Sequence, residues 1–344
     1  MGILQPIWDG TFVYREPVCF SADKDGRPTG GTLLYQPEEI LSVTSFDGSV
    51  FYQPVRDYTA NGRQLVRTEA SRIPYLERSV YCKPFTGVPE TAWVRLSGGK
   101  AYMEVVSDVY RWQTLVTYTH RDKWAGFQPE ACGESLPRSM EKLRAGGDFH
   151  LTFYGDSITA GWEASGCNER AIDMVTLGEY HVSLWHAPYQ PAWAELVTNA
   201  LQARYPQSNV IKTNRAAGGS TVQWGVEHAA ELVPPCKPDL IMLGFGMNSM
   251  QESAEDYRRA ILSIIRTIRK ECHDCEFVLM SPMIPNPEIK GFQNNQLPAQ
   301  QDVLYQIAAE LEGVCIAPVH SVFREMTARG KHYLELTGNC INHP

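Results

Sequence analysis

The chain has 344 residues, 43% of them hydrophobic and 20% charged, a balance that excludes intrinsic disorder as its main state. Lys and Arg total 31 against 39 Asp and Glu, a formal net charge of −8, so a nucleic-acid partner gripped through its phosphates is not expected. No run reaches the ~18 apolar residues of a spanning helix.

Met1 to Pro6 has neither the basic flank nor the apolar stretch of a signal peptide, and Pro6 stands where a myristoylation motif needs Ser or Thr. As written, the sequence reads as cytoplasmic, with no membrane partner. Asn-x-Ser/Thr acceptor sites do not occur. Nine cysteines scattered over this length argue for reduced thiols and against a disulfide framework. Cys272 and Cys275 form a lone CxxC, which reads as a helix-to-strand loop holding two thiols, since no second pair at zinc spacing accompanies it.

Residues 1–125 are rich in short alternating runs. Leu41–Phe46 and Ser49–Tyr52, joined by Asp47-Gly48, read as a tight hairpin, because Asp-Gly supplies the positive φ such turns require. Thr91–Leu96, Ala101–Val106 and Arg111–Val116 continue the pattern, and the region is expected to be an antiparallel β-sandwich of jelly-roll-like kind. Residues 126–147, with Pro137 and Gly146-Gly147, read as a linker.

From residue 148 the texture becomes apolar strands between amphipathic helices. His150–Tyr154, Asn209–Thr213, Leu240–Gly244, Phe277–Ser281 and Val314–Ala317 have the look of strands buried on both faces. The clearest helix starts at Ser253, an N-cap with Asp256 three residues on, and carries Tyr257, Ile261, Ile264, Ile265 and Ile268 at helical spacing. Trp193, Leu196, Val197 and Leu201 mark a second helix, and Val303, Ile307 and Leu311 a third. The alternation predicts an α/β domain over 148–344 with a parallel sheet covered on both faces.

The chemistry-bearing residues follow these strands. Gly155-Asp156-Ser157 comes directly after the first, where an open α/β sheet can present a nucleophile; as a bare local signal, Ser157 reads equally as a helix cap. Gly218-Gly219-Ser220 follows the second strand, Gly244-Phe245-Gly246-Met247-Asn248 the third, and Gly338 to Pro344 closes the chain.

These four blocks, in order and at this spacing, resemble the GDSL or SGNH hydrolases, over roughly residues 148–344. The resemblance implies a flavodoxin-like fold and a serine esterase that needs no cofactor or metal. Ser157 is the implied nucleophile and His343 the general base. The backbone N–H groups of Ser157 and Gly219 and the side-chain amide of Asn248 are the implied oxyanion hole. Ser is a poor nucleophile at its own pKa, so an imidazole must take its proton and return it to the leaving alcohol.

Two of the blocks depart from the family pattern. Ser249 stands where an Asp usually follows the Asn, and Cys340 and Asn339 occupy the places of the Asp that usually precedes the His by three or four residues. Two ways of orienting His343 remain: a backbone carbonyl at Nδ1, giving a Ser-His dyad, or a carboxylate from elsewhere, for which Glu335 is the candidate. The resemblance also implies a closing helix after the His, whereas the given sequence ends at Pro344.

Between Trp162 and Ala192 lies a polar and aromatic insertion with Trp162, Glu163, Tyr180, Trp185, His186 and Tyr189. Asp156, Trp162 and Trp185 are candidates for substrate contact, since aromatic faces flanked by polar groups suit sugar rings; the same aromatics would equally serve to pack the loop. A β-sandwich before such a domain is an arrangement of carbohydrate acetylesterases, which points to acetylated oligo- or polysaccharides, with the first half influencing substrate choice without doing chemistry. A lipid esterase or thioesterase, or an inactive sugar-binding homologue, are the alternatives.

Overall fold

The structure is a computed structural model and describes residues 5–23, 25–77, 93–96, 99–102, 109–166, 189–339 and 341–344. The chain divides into two compact units: Met1–Gln128 with Pro285–Gln293 and Val322–Pro344, and Pro129–Ile284 with Asn294–Ser321.

The second unit holds a five-stranded parallel sheet built from β10 (Gly147–Gly155), β11 (Ser208–Asn214), β12 (Leu240–Gly244), β13 (Glu276–Met280) and β14 (Val314–Ala317), and those of the first unit take the numbers β1 to β9 below. Their order is β11-β10-β12-β13-β14, the flavodoxin-like winding in which the chain reverses direction between β10 and β12. Strand side chains alternate between two cores. Phe149, Leu151, Phe153, Leu240 and Val278 pack on one face, while Tyr154, Ile241, Leu243, Phe277 and Leu279 pack on the other. This two-sided burial is why the runs in β10, β12 and β13 are largely apolar, whereas Asn209–Thr213, expected to be buried on both faces, lies in the edge strand β11 and is exposed or half-buried.

The second face is covered largely by the helix Ala254–Arg269. Ser253 caps it by accepting from the Asp256 N–H at 3.1 Å, and Tyr257, Ile261, Ile264, Ile265 and Ile268 are buried along it, as the spacing predicts. Each fully buried Ile contributes about 1.5–3 kcal/mol. The helices Trp193–Arg204 and Leu297–Glu310 also form where the apolar spacing predicts them. Cys272 and Cys275 lie in the loop between Ala254–Arg269 and β13, both as free thiols. No helix among the described residues is long and apolar enough to cross a membrane.

The first unit is antiparallel. β1 (Phe12–Cys19) and β4 (Pro37–Ser45) flank β9 (Gln113–His120), and β2 (Ser21–Ala22) with β3 (Pro28–Thr29), β5 (Tyr58–Asn61) with β6 (Gln64–Arg67) and β7 (Trp93–Leu96) with β8 (Gly99–Tyr102) form two-stranded sheets. Asp47-Gly48 makes the expected turn, with Gly48 at φ 76° and Asp47 Oδ1 accepting from the Ser49 N–H at 3.0 Å. Its return arm is shorter than predicted, a single bridge from Thr44 to Phe51. The expected run Ala101–Val106 is described only to Tyr102.

Two findings differ from the sequence boundaries. The stretch read as a linker contains a helix, Pro137–Ala145, opened by Pro at its first position. The terminal segment Val322–Pro344, read as part of the hydrolase domain, belongs to the first unit by its contacts. Lys331 is its anchor. The Lys331 ammonium is 2.9 Å from Glu16 Oε1 and 3.2 Å from Glu335 Oε2, and it donates to the Pro17 carbonyl at 2.7 Å; all three charged side chains are almost wholly buried. Gln113 Nε2 donates to the carbonyls of Leu334 and Thr337 at 2.8 and 2.9 Å.

Candidate active site

Ser157 opens a one-turn helix, Ser157–Ala160, at the carboxyl end of β10. The cap of that helix is Asp156, whose side chain accepts from the Ile158 N–H at 3.0 Å, so Ser157 itself is not the cap. The strand ends approach unusually closely here. A β-carbon on Gly155 would lie 2.2 Å from the Gly244 carbonyl oxygen, which accepts from the Asp156 N–H at 3.2 Å and from Thr159 Oγ1 at 2.9 Å. Only glycine permits β10 and β12 to close to this distance at the point where the winding reverses, the usual ligand crevice of such sheets.

Hydrogen bonds tie the second and third blocks to the same place. Ser220 Oγ donates to the Gly155 carbonyl at 3.1 Å, and Asn248 Nδ2 donates to the Ser220 carbonyl at 3.0 Å. One amide hydrogen of Asn248 is thereby spent on holding the side chain, and the residue is exposed, leaving the second hydrogen for a ligand. Ser249, in the place of the usual Asp, is buried and accepts from the Val222 N–H at 2.9 Å, so it locks the third block to the helix that follows the second. Gly219 is exposed at φ 73°, with open space where a β-carbon would be. This left-handed backbone is one that other residues adopt only at a cost.

Trp162 lies against this loop, since a β-carbon on Gly218 would come 2.5 Å from its indole. Trp185, Tyr180 and His186 fall outside the described residues; Glu163 and Tyr189 are described, both at positive φ.

Asp156 is fully buried, and that burial pushes its carboxyl up to about 7, although the N–H groups of Ile158, Thr159 and Met247 pull the other way. An acid whose pKa is raised on folding carries a penalty that is absent below its unfolded pKa near 4 and complete above about 7, so this group makes stability fall as pH rises through that window. Asp156→Asn keeps an acceptor for Ile158 and removes the charge. It is expected to narrow the difference in Tm between pH 5 and pH 8, measured by thermal denaturation; an unaltered difference would mean that Asp156 ionises normally.

His343 belongs to the first unit, in a terminal loop closed by the Gly338 N–H donating to the His343 carbonyl at 2.8 Å. Burial of the ring lowers its pKa to about 4, which keeps the imidazole neutral near neutral pH, as a base must be. The expectation for what orients it needs correcting. Glu335 turns away into the core: its Oε1 accepts from the N–H groups of Cys19 and Gly31 at 3.1 and 2.9 Å, and its Oε2 from the His332 N–H at 2.9 Å, beside Lys331. Neither oxygen is left for an imidazole. At His343 Nδ1 stands the side-chain amide of Asn339, with Nδ2 at 2.7 Å.

The model of the GDSL-like lipase/acylhydrolase family matches residues 153–344, more than half of the chain, and the chain belongs to that family. A comparison with curated protein sequences finds no match. Among solved structures, a two-domain esterase active on acetylated mannans is similar at 18% identity and a TM-score of 0.44, over 61% of this chain and 47% of that one. An acetylxylan esterase from Geobacillus stearothermophilus is similar at 20% identity and a TM-score of 0.43, over 58% of this chain and 89% of that one. The chain thus spans about half the length of the mannan-active esterase.

Proposed function

We propose that the protein is a serine esterase that removes acetyl groups from acetylated carbohydrates through an acyl-enzyme on Ser157. The observation that carries the reading is the hydrogen-bonded convergence of the Ser157, Gly219 and Asn248 blocks at the reversal point of the sheet. The family match, which takes in both Ser157 and His343, supports giving the proton transfer to His343.

In the reaction, Ser157 Oγ attacks the ester carbonyl while its proton passes to His343 Nε2. The oxyanion is held by the N–H groups of Ser157 and Gly219 and by Asn248 Nδ2. Collapse expels the sugar hydroxylate, which takes the proton from the imidazolium. Water then repeats the sequence on the acetyl-enzyme. The Trp162 indole beside Gly218 supplies an aromatic face of the kind sugar rings stack on, next to the oxyanion glycine.

The test is an acyl-chain series of p-nitrophenyl esters together with acetylated xylo-oligosaccharide. A preference for acetyl over longer chains and release of acetate from the sugar are expected; a preference for long chains would make it a lipid esterase instead. Asn248→Ala should lower kcat about 10²- to 10³-fold with little change in KM, because the lost donor acts mainly in the transition state. A change confined to KM would remove Asn248 from the oxyanion hole.

A further inference from the structure

The Asn339 amide cannot be turned around. Its Oδ1 accepts from three backbone N–H groups, those of Ile341 at 2.9 Å, Asn342 at 2.8 Å and His343 at 3.1 Å. Reversing the amide would set its NH2 against all three donors at once, so the oxygen is fixed on that side and Nδ2 faces His343 Nδ1. The surroundings fix the loop itself: the Asn286 N–H donates to the Ile341 carbonyl at 2.8 Å, and the Ile341 side chain is buried with Ile289, Tyr333 and Leu334.

An NH2 group is a donor only, so a 2.7 Å contact to a neutral imidazole nitrogen requires that nitrogen to be the acceptor. The ring proton is then on Nε2. That is the tautomer with no lone pair at Nε2 to receive a proton from a serine hydroxyl. Moving the proton to Nδ1 would bring two N–H donors face to face at hydrogen-bond distance.

From this we infer that Asn339 is a positioning residue that holds His343 in the non-basic tautomer, so that turnover is throttled by the need to break the Asn339 contact. The inference rests on the proposed role of His343 as the base that serves Ser157. Serine proteases show what such a contact costs: exchanging the triad carboxylate for its amide keeps the geometry and lowers kcat about 10⁴-fold through the wrong tautomer.

Asn339→Asp reverses the situation at one atom. One carboxylate oxygen continues to accept from the N–H groups of Ile341, Asn342 and His343. The other takes the place of Nδ2 and accepts from Nδ1–H, leaving Nε2 open to take the Ser157 proton. With p-nitrophenyl acetate, kcat is expected to rise at least about tenfold, with about 10⁴-fold as the ceiling, and KM to change little.

Tautomers are read directly from the full-length protein with 15N-labelled histidine, by two-bond 15N–1H correlation NMR, assigning the His343 ring by the signals absent from His343→Ala. The wild type should carry the proton on Nε2 and Asn339→Asp on Nδ1. A wild-type ring protonated on Nδ1 overturns the inference, whether or not the variant folds. So does a folded Asn339→Asp with the Nδ1 tautomer and unchanged kcat. Failure of the underlying reading looks different: Ser157→Ala would retain esterase activity while the NMR result stayed as expected.

Discussion

Ser157→Ala is expected to lower kcat for acetyl ester hydrolysis by about 10⁴- to 10⁶-fold, the range seen when a serine hydrolase loses its nucleophile. The fold should be untouched. The helix cap at this corner is the Asp156 carboxylate, and the close approach of the strands depends on Gly155, neither of which the substitution alters. The measurement is single-turnover and steady-state hydrolysis alongside a thermal melt. Activity within about tenfold of wild type in a protein with an unchanged melt would take Ser157 out of the mechanism.

The second large effect is expected at His343, and its size is less informative than its failure to add. His343→Ala should approach the loss caused by Ser157→Ala, and the double substitution should be little worse than the serine change alone, because nucleophile and base act as a unit. The terminal loop should survive, since the Gly338 to His343 hydrogen bond and the Asn339 acceptor both use the His343 backbone. Losses that multiply in the double variant would mean that the two residues act independently, and His343 would then not be the base for Ser157.

Much of the second unit was legible because its physics is local. A strand buried on both faces must be apolar throughout, so Leu240–Gly244 and Val314–Ala317 stand out with the bounds they have in the structure. The Ile stripe after Ser253 is legible for the same reason, its period being that of the helix it builds. Pro137–Ala145 was hidden by its own punctuation: Pro137 and Gly146-Gly147 suggest a linker, yet a Pro at the first helical position and a Gly just past the last are helix boundaries.

The orientation of His343 was not legible. Glu335 lies eight residues before the histidine, and nothing in that spacing tells that a turn at Tyr333–Glu335 points its carboxylate at the amides of Cys19 and Gly31, some 300 positions away. Asn339 was visible as a departure from the family pattern. Its geometry was not, because the direction of an amide is decided by the three backbone donors around it. Gly219 shows a milder form of the same limit, since its φ of 73° is a conformational demand that composition cannot reveal.

The housing of the terminal segment bears on how such a protein can be shortened or recombined. Glu16, Cys19, Gly31 and Gln113 supply the buried partners of Lys331, Glu335, Leu334 and Thr337, so the stretch leading to His343 is finished by residues from the opposite end of the chain. The first 128 residues are therefore no detachable module. A cut at the apparent linker would strip Glu16 from the buried Lys331 and the Cys19 and Gly31 amides from the buried Glu335, leaving only the ion pair between the two, a loss of several kcal/mol. Grafting this hydrolase onto another accessory domain would have to carry those four residues along with it.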